Sequence, residues 1–263
     1  MRIAYLTQSY SPMTGSPAIF ASHLAEAMAT RGHQVLALAA SCQIHTYHTY
    51  KENLTILRFQ SINNPIHSGQ RLFVDLRRTS IKALLKFQPD IVHTHEFTQN
   101  GIPLLEYARR MHIPTILTIH QLPHITVSYL LKPLVEKIFR LYANNIIRHH
   151  SVIFAPTQTI AINITELTGL KTTLITDQLD SPDRLPPLFP DIESASTQKQ
   201  TRPHSLPLLL HIQPTQGQNT DGIWEIHERL YQETIQQTRS HHEIRSKKPP
   251  GQWETIKARM GLK

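Results

Sequence analysis

Short apolar runs alternate with amphipathic helical patterns through the first 180 residues, and this alternation restricts the possible folds more than any other feature. The runs that we predict as strands cover residues 1–6, 34–39, 54–59, 91–95, 115–120, 151–155 and 172–176. Continuous apolar strands that alternate with helices are typical of a parallel sheet with helices on both faces. We therefore predict an α/β fold for residues 1–180, a Rossmann-like doubly wound parallel sheet.

Several residues mark where the intervening helices begin and end. Ser16 is suited to cap the first helix, and Thr157 is suited to cap a later one. Gly32 and Gly169 follow helical patterns, at positions where a left-handed backbone is favoured. Helical spacing also predicts a helix within residues 72–87.

The composition changes after residue 180. Nine of the 18 prolines lie in the 83 residues from 181 to 263, where Gln, Ser and Thr are also frequent. We predict a Pro-rich linker over residues 181–205, followed by a remnant or poorly ordered polar tail over residues 206–263. Within that irregular tail, only residues 206–212 have the pattern of a strand, and residues 222–237 have the pattern of a polar helix.

Charge and cysteine content exclude several classes of protein. The chain has 27 Lys and Arg residues against 19 Asp and Glu residues, a formal charge of +8, which favours anionic partners or a solvated basic surface. No nucleic-acid-binding motif accompanies this charge, so we expect no specific nucleic acid partner. The single cysteine, Cys42, excludes a disulfide framework and a Cys-based zinc site. Because no apolar run reaches 18 residues, we predict no transmembrane helix and a cytoplasmic location.

A glycine turn follows the first predicted strand. Ligands of open parallel sheets bind beyond the carboxyl ends of the strands. Here the chain passes through Gly15 and Ser16 into a helix, whose free N–H groups and dipole favour a phosphate. The same residues are also compatible with a plain tight turn that carries a helix cap.

Polar residues rich in histidine follow two later strands. His95 and Glu96 come at the end of strand 91–95, and His120 and His124 come at the end of strand 115–120. Together they can bind a sugar through its hydroxyl groups, with one histidine as a general base. Structural or surface histidines are an alternative interpretation. A metal site is another, although the spacing does not match a zinc motif on one helix, and we predict none.

The stretch between Tyr129 and His149 has an apolar stripe with basic residues beside it. A helix of this kind can lie on an anionic membrane, which would give the protein a peripheral contact with the inner face of the membrane. The alternative is that it packs on the sheet and exposes a charged outer edge.

Five short motifs, in order, make the sequence similar to a known family. They are the opening MRIAYL with Gly15 after it, RGHQV at 31–35, PDIVHTH at 89–95, IPTILTIH at 113–120 and VIFAPT at 152–157. Each resembles the corresponding segment of the retaining glycosyltransferases of family 4, which have the GT-B fold. The resemblance implies that residues 1–180 are one half of a GT-B fold, the N-terminal acceptor-side domain.

The resemblance also implies a function and a set of site residues. It implies transfer of a hexosyl group from a nucleotide sugar, as co-substrate, to a lipid or glycan acceptor, with no metal and no other cofactor. His120 would lie beside the transferred sugar as the catalytic histidine, and Gly15 and Ser16 would lie near the donor phosphates. His95, Glu96 and His124 would line the acceptor side.

The sequence departs from the family pattern after residue 176. Residues 177–180 read DQLD where the family usually has Asn-Gly-Val/Ile-Asp, and no donor-domain motif follows. Glu225 and Glu233 have the spacing of the family's donor glutamates, but they lie in a polar helical pattern without Gly or Pro, and we interpret the match as chance. We therefore expect a transferase that is incomplete alone: a truncated or frame-shifted product, or one half of a split enzyme whose partner chain supplies the donor domain. The alternative is a non-catalytic module that binds a glycan or a partner protein.

Overall fold

One mixed sheet organises the part of the chain that the structure describes. The structure is a computed structural model, which describes residues 1–13, 15–43, 45–63, 71–73, 75, 79–95, 101–120, 137, 147, 150–170, 172–176, 208–213 and 221–246. Its strands are β1 (Arg2–Thr7), β2 (Gln34–Ala40), β3 (Tyr47–Lys51), β4 (Leu54–Phe59), β5 (Ser61–Asn63), β6 (Arg71–Phe73), β7 (Ile91–His95), β8 (Thr115–Thr118), β9 (Val152–Ala155), β10 (Thr172–Thr176) and β11 (Leu208–Gln213). Its helices are α1 (Ser16–Thr30), α2 (Thr79–Phe87), α3 (Gly101–Arg110), α4 (Gln158–Thr168) and α5 (Asp221–Ser246).

The strand order confirms the predicted doubly wound sheet. Nine strands of the described residues form one sheet in the order β10-β11-β9-β8-β7-β1-β2-β4-β3, and β5 and β6 form a separate hairpin. All neighbours in the large sheet are parallel except β3 and β4. Because the strand order runs outward from β1 in both directions, helices cover both faces. One apolar cluster joins the sheet to α1 and α5, and two others join its opposite face to α2, α3 and α4.

The helix boundaries confirm some local predictions and correct others. Thr157 caps α4 by accepting a hydrogen bond from the Ile160 N–H at 3.3 Å. Gly169 follows α4 with φ 73°, as expected for a left-handed cap. Ser16 was predicted to cap α1, but it is the first residue of that helix, and Gly15 occupies the cap position with a positive φ of 139°. The predicted helix within residues 72–87 begins only at Thr79, because residues 71–73 form β6.

Parts of the segment predicted to be a polar tail lie against the sheet. β11 is inserted between β9 and β10 and is parallel to both. α5 packs on the α1 face, and its buried apolar side chains repeat at helical spacing: Ile226, Leu230, Tyr231 and Ile235. Residues 181–205, predicted as a linker, lie outside the described residues. The division of the chain at residue 180 stays a prediction.

Polar contacts add to the apolar packing of α5. Glu228 bonds the His33 Nε2 atom at 2.8 Å and lies 3.7 Å from the Arg31 guanidinium. Near the other end of the helix, Arg239 lies 3.3 Å from the Asp90 carboxylate. Such partly exposed ion pairs contribute little individually, so burial of the apolar stripe supplies most of the docking free energy.

Within the described residues, no helix combines the length and the apolar composition needed to cross a bilayer.

Leu230→Ala tests whether α5 packs on the sheet. Leu230 is 1% exposed, so truncation should lower the free energy of unfolding by about 2–5 kcal/mol. Urea denaturation measures this, with Gln236→Ala on the exposed face of the same helix as the control. Equal unfolding free energies for the two variants would contradict the docking of α5.

Candidate functional site

Histidines and hydroxyl groups meet at the carboxyl ends of the central strands. His93 and His95 are two residues apart on β7 and therefore point to the same face, the face that α1 and α5 cover. His95 aligns with Thr118 of β8 on one side and with Thr7 of β1 on the other. These positions form the edge at which parallel sheets bind their ligands.

His93 is fixed by hydroxyl groups from two elements. Its Nδ1 atom lies 2.6 Å from the Tyr231 hydroxyl of α5, and its Nε2 atom lies 2.6 Å from the Thr118 hydroxyl. The Tyr231 hydroxyl is also 3.1 Å from the Tyr5 hydroxyl. Since a hydroxyl can donate or accept, both nitrogens of a neutral imidazole are satisfied in this arrangement. His93 therefore has a structural role and joins α5 to the centre of the sheet.

His95 and His120 form a hydrogen-bonded pair. The His95 Nδ1 atom is 3.3 Å from the His120 Nε2 atom, and His95 is fully buried. Among the described residues, the His95 Nε2 atom has no hydrogen-bond partner. A buried N–H without an acceptor is rarer than an acceptor without a donor. We therefore assign the His95 proton to Nδ1, which donates to His120 Nε2 and leaves the His120 proton on Nδ1.

Phe20 of α1 lies at the centre of an aromatic cluster around this pair. Its ring centroid lies within about 6 Å of the rings of His120 (5.2 Å), His227 (5.7 Å), Trp224 (5.9 Å), His95 (6.0 Å) and Phe154 (6.3 Å). Trp224 and His227 belong to α5, so two helices and two strands enclose the histidine pair. The enclosure removes water from His95 and His120, which strengthens any hydrogen bond they make to a ligand.

Burial keeps these histidines neutral. It lowers the pKa of His120 to about 4, and the charge of His227 acts in the same direction. It also lowers the pKa of His227 to about 4, against the opposing effect of a 2.8 Å hydrogen bond to the Ile223 carbonyl. The pKa values of His93 and His95 are lowered well below 6.5, first by burial and then by the other histidines. At neutral pH the cluster therefore provides hydrogen bonds and no positive charge.

The start of α1 provides donors near this pair. The first hydrogen bond along the helix runs from the Ile19 N–H to the Gly15 carbonyl at 3.0 Å. The N–H groups of Ser16 and Ala18 therefore precede the helical ladder, while Pro17 has none. Since Phe20, one turn further on, contacts His120, this helix end lies on the same side of the site. The free N–H groups and the helix dipole favour an anion there.

The structure brings together some of the predicted site residues. His95 and His120 form a pair, and Gly15 and Ser16 begin α1. Glu96 and His124 lie outside the described residues, as does nearly all of the stretch between Tyr129 and His149. The roles assigned to these residues stay predictions. Within the described part of the chain, no group of three or more His, Cys, Asp or Glu residues is arranged to hold a metal ion.

The part of the site that α5 supplies was not predicted from the sequence. Trp224, His227 and Tyr231 lie on the inner side of that helix, where His227 and Tyr231 are fully buried. The available signal was their spacing relative to Ile226 and Leu230, which places all of them on one helical stripe. Because the outer residues are strongly polar, the helix was interpreted as polar all round.

Acidification should destabilise the fold through the buried histidines. Their pKa values in the folded state lie below the ordinary 6.5. The free energy of unfolding is therefore highest above pH 6.5 and falls as the pH approaches 4. The expected slope is about 1.4 kcal/mol per pH unit for each such histidine. Urea denaturation between pH 4 and 8 measures it. His227→Phe should reduce the slope, while the same change at exposed His48 should not; identical slopes would contradict the assignment.

Gly15→Ala tests the backbone at the start of α1. Gly15 has φ 139° and ψ 149°, a combination that is essentially restricted to glycine. The substitution should lower the free energy of unfolding by about 1–3 kcal/mol. Ile19→Ala, at a 51% exposed position in the next turn, is the control in the same denaturation assay. An unchanged free energy for Gly15→Ala would show that this backbone conformation is not required.

One comparison with known proteins identifies a family over more than half of the chain. A protein-family model described as Glycosyltransferase Family 4 matches residues 18–176. A search of curated proteins finds no match.

Among solved structures, sucrose-phosphate synthase from Thermosynechococcus elongatus is 14% identical with a TM-score of 0.46, covering 64% of this chain and 46% of that one. Another structure of the same enzyme is 11% identical with a TM-score of 0.48, covering 88% of this chain and 98% of that one. The catalytic domain of starch synthase IV from Arabidopsis thaliana, bound to ADP and acarbose, is 14% identical with a TM-score of 0.40, covering 62% and 46%. The chain thus spans about half the length of the first and third of these structures.

Proposed function

Because the chain belongs to Glycosyltransferase Family 4, we propose that it transfers a hexosyl group from a nucleotide sugar to a lipid or glycan acceptor. The observation that carries this proposal is the neutral His95–His120 pair beside the start of α1. The pair offers hydrogen bonds to an uncharged sugar, and the helix end offers dipoles to a phosphate.

In this proposal, His120 orients the transferred sugar. With its proton on Nδ1, His120 donates a hydrogen bond to a sugar hydroxyl, while its Nε2 atom accepts from His95. Because the pKa of His120 is lowered to about 4, His120 makes this contact as a neutral group. His95 acts as a positioning residue that fixes the tautomer and the ring orientation of His120.

The start of α1 stabilises the leaving group. When the bond between the sugar and the nucleotide breaks, negative charge develops on the departing diphosphate. We propose that hydrogen bonds donated by the N–H groups of Ser16 and Ala18, together with the dipole of α1, stabilise this negative charge. Gly15 has no side chain, so a phosphate can approach the backbone closely.

Other parts of the chain complete the proposal. Glu96 and His124 would line the acceptor side, and the stretch between Tyr129 and His149 would contact an anionic membrane that contains a lipid acceptor. Since the sequence after residue 212 carries no donor-domain motif of the family, we propose that a partner polypeptide supplies most of the nucleotide site. The protein would act in the cytoplasm, at the inner face of the membrane.

Titration with nucleotide sugars tests the proposed function. Calorimetry with UDP-, GDP- and ADP-glucose should reveal saturable binding of at least one of them when a separate donor domain is added to the chain, and release of the nucleoside diphosphate should then be measurable. His120→Ala should lower that rate about 100-fold or more, as expected for removal of one preorganised hydrogen-bond donor. His48→Ala, at an exposed histidine on β3, is the matched control.

The opposite result favours the alternative function. If the folded chain gives no nucleotide sugar binding and no turnover that depends on His120, even with a separate donor domain added, the proposed transfer is wrong. The chain would then be a non-catalytic module for a glycan or a partner protein.

A further inference from the structure

Arg58 is a buried cation at the carboxyl end of β4. It is 5% exposed and aligns with Ala39 of β2 in the parallel register. None of the ion pairs among the described residues includes Arg58. A guanidinium group stays protonated at physiological pH, so the buried group remains positively charged.

The contacts of Arg58 satisfy only part of its hydrogen-bonding capacity. Its Nη2 atom donates to the Ser11 carbonyl, and its Nη1 atom has no partner among the described residues. The rings of Tyr10 and Tyr47 lie 5.4 Å and 6.0 Å from the guanidinium carbon. These aromatic faces provide some cation–π stabilisation, but they accept no hydrogen bond in the plane of the guanidinium.

Tyr10 brings a second unpartnered polar group to the same place. The residue is 1% exposed, and within the described part of the chain its hydroxyl has no hydrogen-bond partner. Burial raises the pKa of Tyr10, with Glu26 adding to the increase and Arg58 opposing it, so the hydroxyl is protonated at neutral pH. Two unpartnered donors, one of them charged, therefore lie together beneath the turn at residues 10–13.

This arrangement is costly unless an anion completes it. A buried, uncompensated ion costs several kcal/mol, and a buried hydroxyl without a partner adds to that cost. The rest of β4 is mostly apolar, so its packing does not require a charge at this position. We propose that Arg58 and Tyr10 form a binding site for an anionic group, a phosphate or a carboxylate, on the acceptor.

The turn at residues 10–13 is the entry to this site. It is closed by a 3.0 Å hydrogen bond from the Met13 N–H to the Tyr10 carbonyl, and its Ser11 and Pro12 residues are exposed. A small shift of this turn uncovers the guanidinium. Oxygens of the anion then accept from Arg58 Nη1 and the Tyr10 hydroxyl, and they replace the Ser11 carbonyl at Nη2.

The register places this site well away from the histidine pair. Arg58, Ala39, Thr7 and His95 align across neighbouring strands, so Arg58 is three strand spacings, about 14 Å, from His95. The anion therefore belongs to a part of the acceptor that is remote from the reacting hydroxyl. Assigning the anion to the acceptor rests on the proposed function, while the anion site itself does not.

Thermal unfolding in the presence of inorganic phosphate tests the site. At constant ionic strength, phosphate should raise the Tm of the full chain saturably, by roughly 5–10 °C at 100 times its dissociation constant. Arg58→Met should abolish this rise, and Tyr10→Phe should reduce it. Arg239→Met removes the same charge at a 69% exposed position and should keep the full response. A parallel titration with malonate shows whether a phosphate or a carboxylate fits better.

A structural role for Arg58 predicts a different pattern. If the anion site is real, Arg58→Met without phosphate should have a Tm equal to or above that of the unmodified chain, because it removes an unpaired buried charge. A lower Tm for Arg58→Met, together with an unchanged phosphate response of Tyr10→Phe, would overturn the proposal. So would the absence of any saturable response to both anions. No nucleotide sugar is needed, so these outcomes are independent of the transferase assay.

Discussion

The hydrogen bond between the Tyr231 hydroxyl of α5 and His93 Nδ1 of β7 connects a distant part of the chain to the centre of the sheet. Without the Tyr231 hydroxyl, the His93 Nδ1 atom would be buried without a partner, and without α5 the neighbouring histidines would be hydrated. Hydration would return their pKa values toward 6.5. The neutrality of His120, and with it the chemistry of this edge, therefore depends on a helix more than 100 residues further along the chain.

Neutral histidines limit the chemistry that this edge can perform. An uncharged His120 can orient a hydroxyl or shift a proton, but it cannot offset the negative charge that the proposed transfer would place on a departing diphosphate. The free N–H groups at the start of α1 are suited to that task, since a dipole needs no ionisation and is not lost on burial. Both properties follow from the loss of water at this site. Burial makes the imidazoles neutral, and it strengthens the electric field of the backbone dipoles at the start of α1.

The sequence predicted the elements whose pattern is local. β1, β2 and β9 were predictable because strands buried on both faces are largely apolar runs, and β4 was predictable because its residues alternate as in a strand. β3 was missed because it is an exposed antiparallel edge strand, in which Tyr47 and Tyr50 are three residues apart and do not follow the two-residue period of a half-buried strand. α5 was predicted as a helix, yet its docking was not, because helical periodicity does not specify which sheet receives the apolar stripe. Arg58 was missed because an arginine in a strand is usually exposed, and its neighbours Ser11, Tyr10 and Tyr47 are distant from it in the sequence.

Burial has opposite consequences for the basic groups at two places along the carboxyl edge of the sheet, the histidines at β7 and β8 and Arg58 at β4. At β7 and β8 the buried nitrogens belong to imidazoles, which lose their proton and form hydrogen bonds as neutral groups. At β4 the buried nitrogens belong to a guanidinium, which cannot lose its proton. A ligand that matches both ends would place uncharged hydroxyls beside His95 and His120 and an anionic group beside Arg58. Because only the Arg58 end carries a fixed positive charge and requires a counter-charge, that end would provide the larger share of discrimination between charged and neutral acceptors.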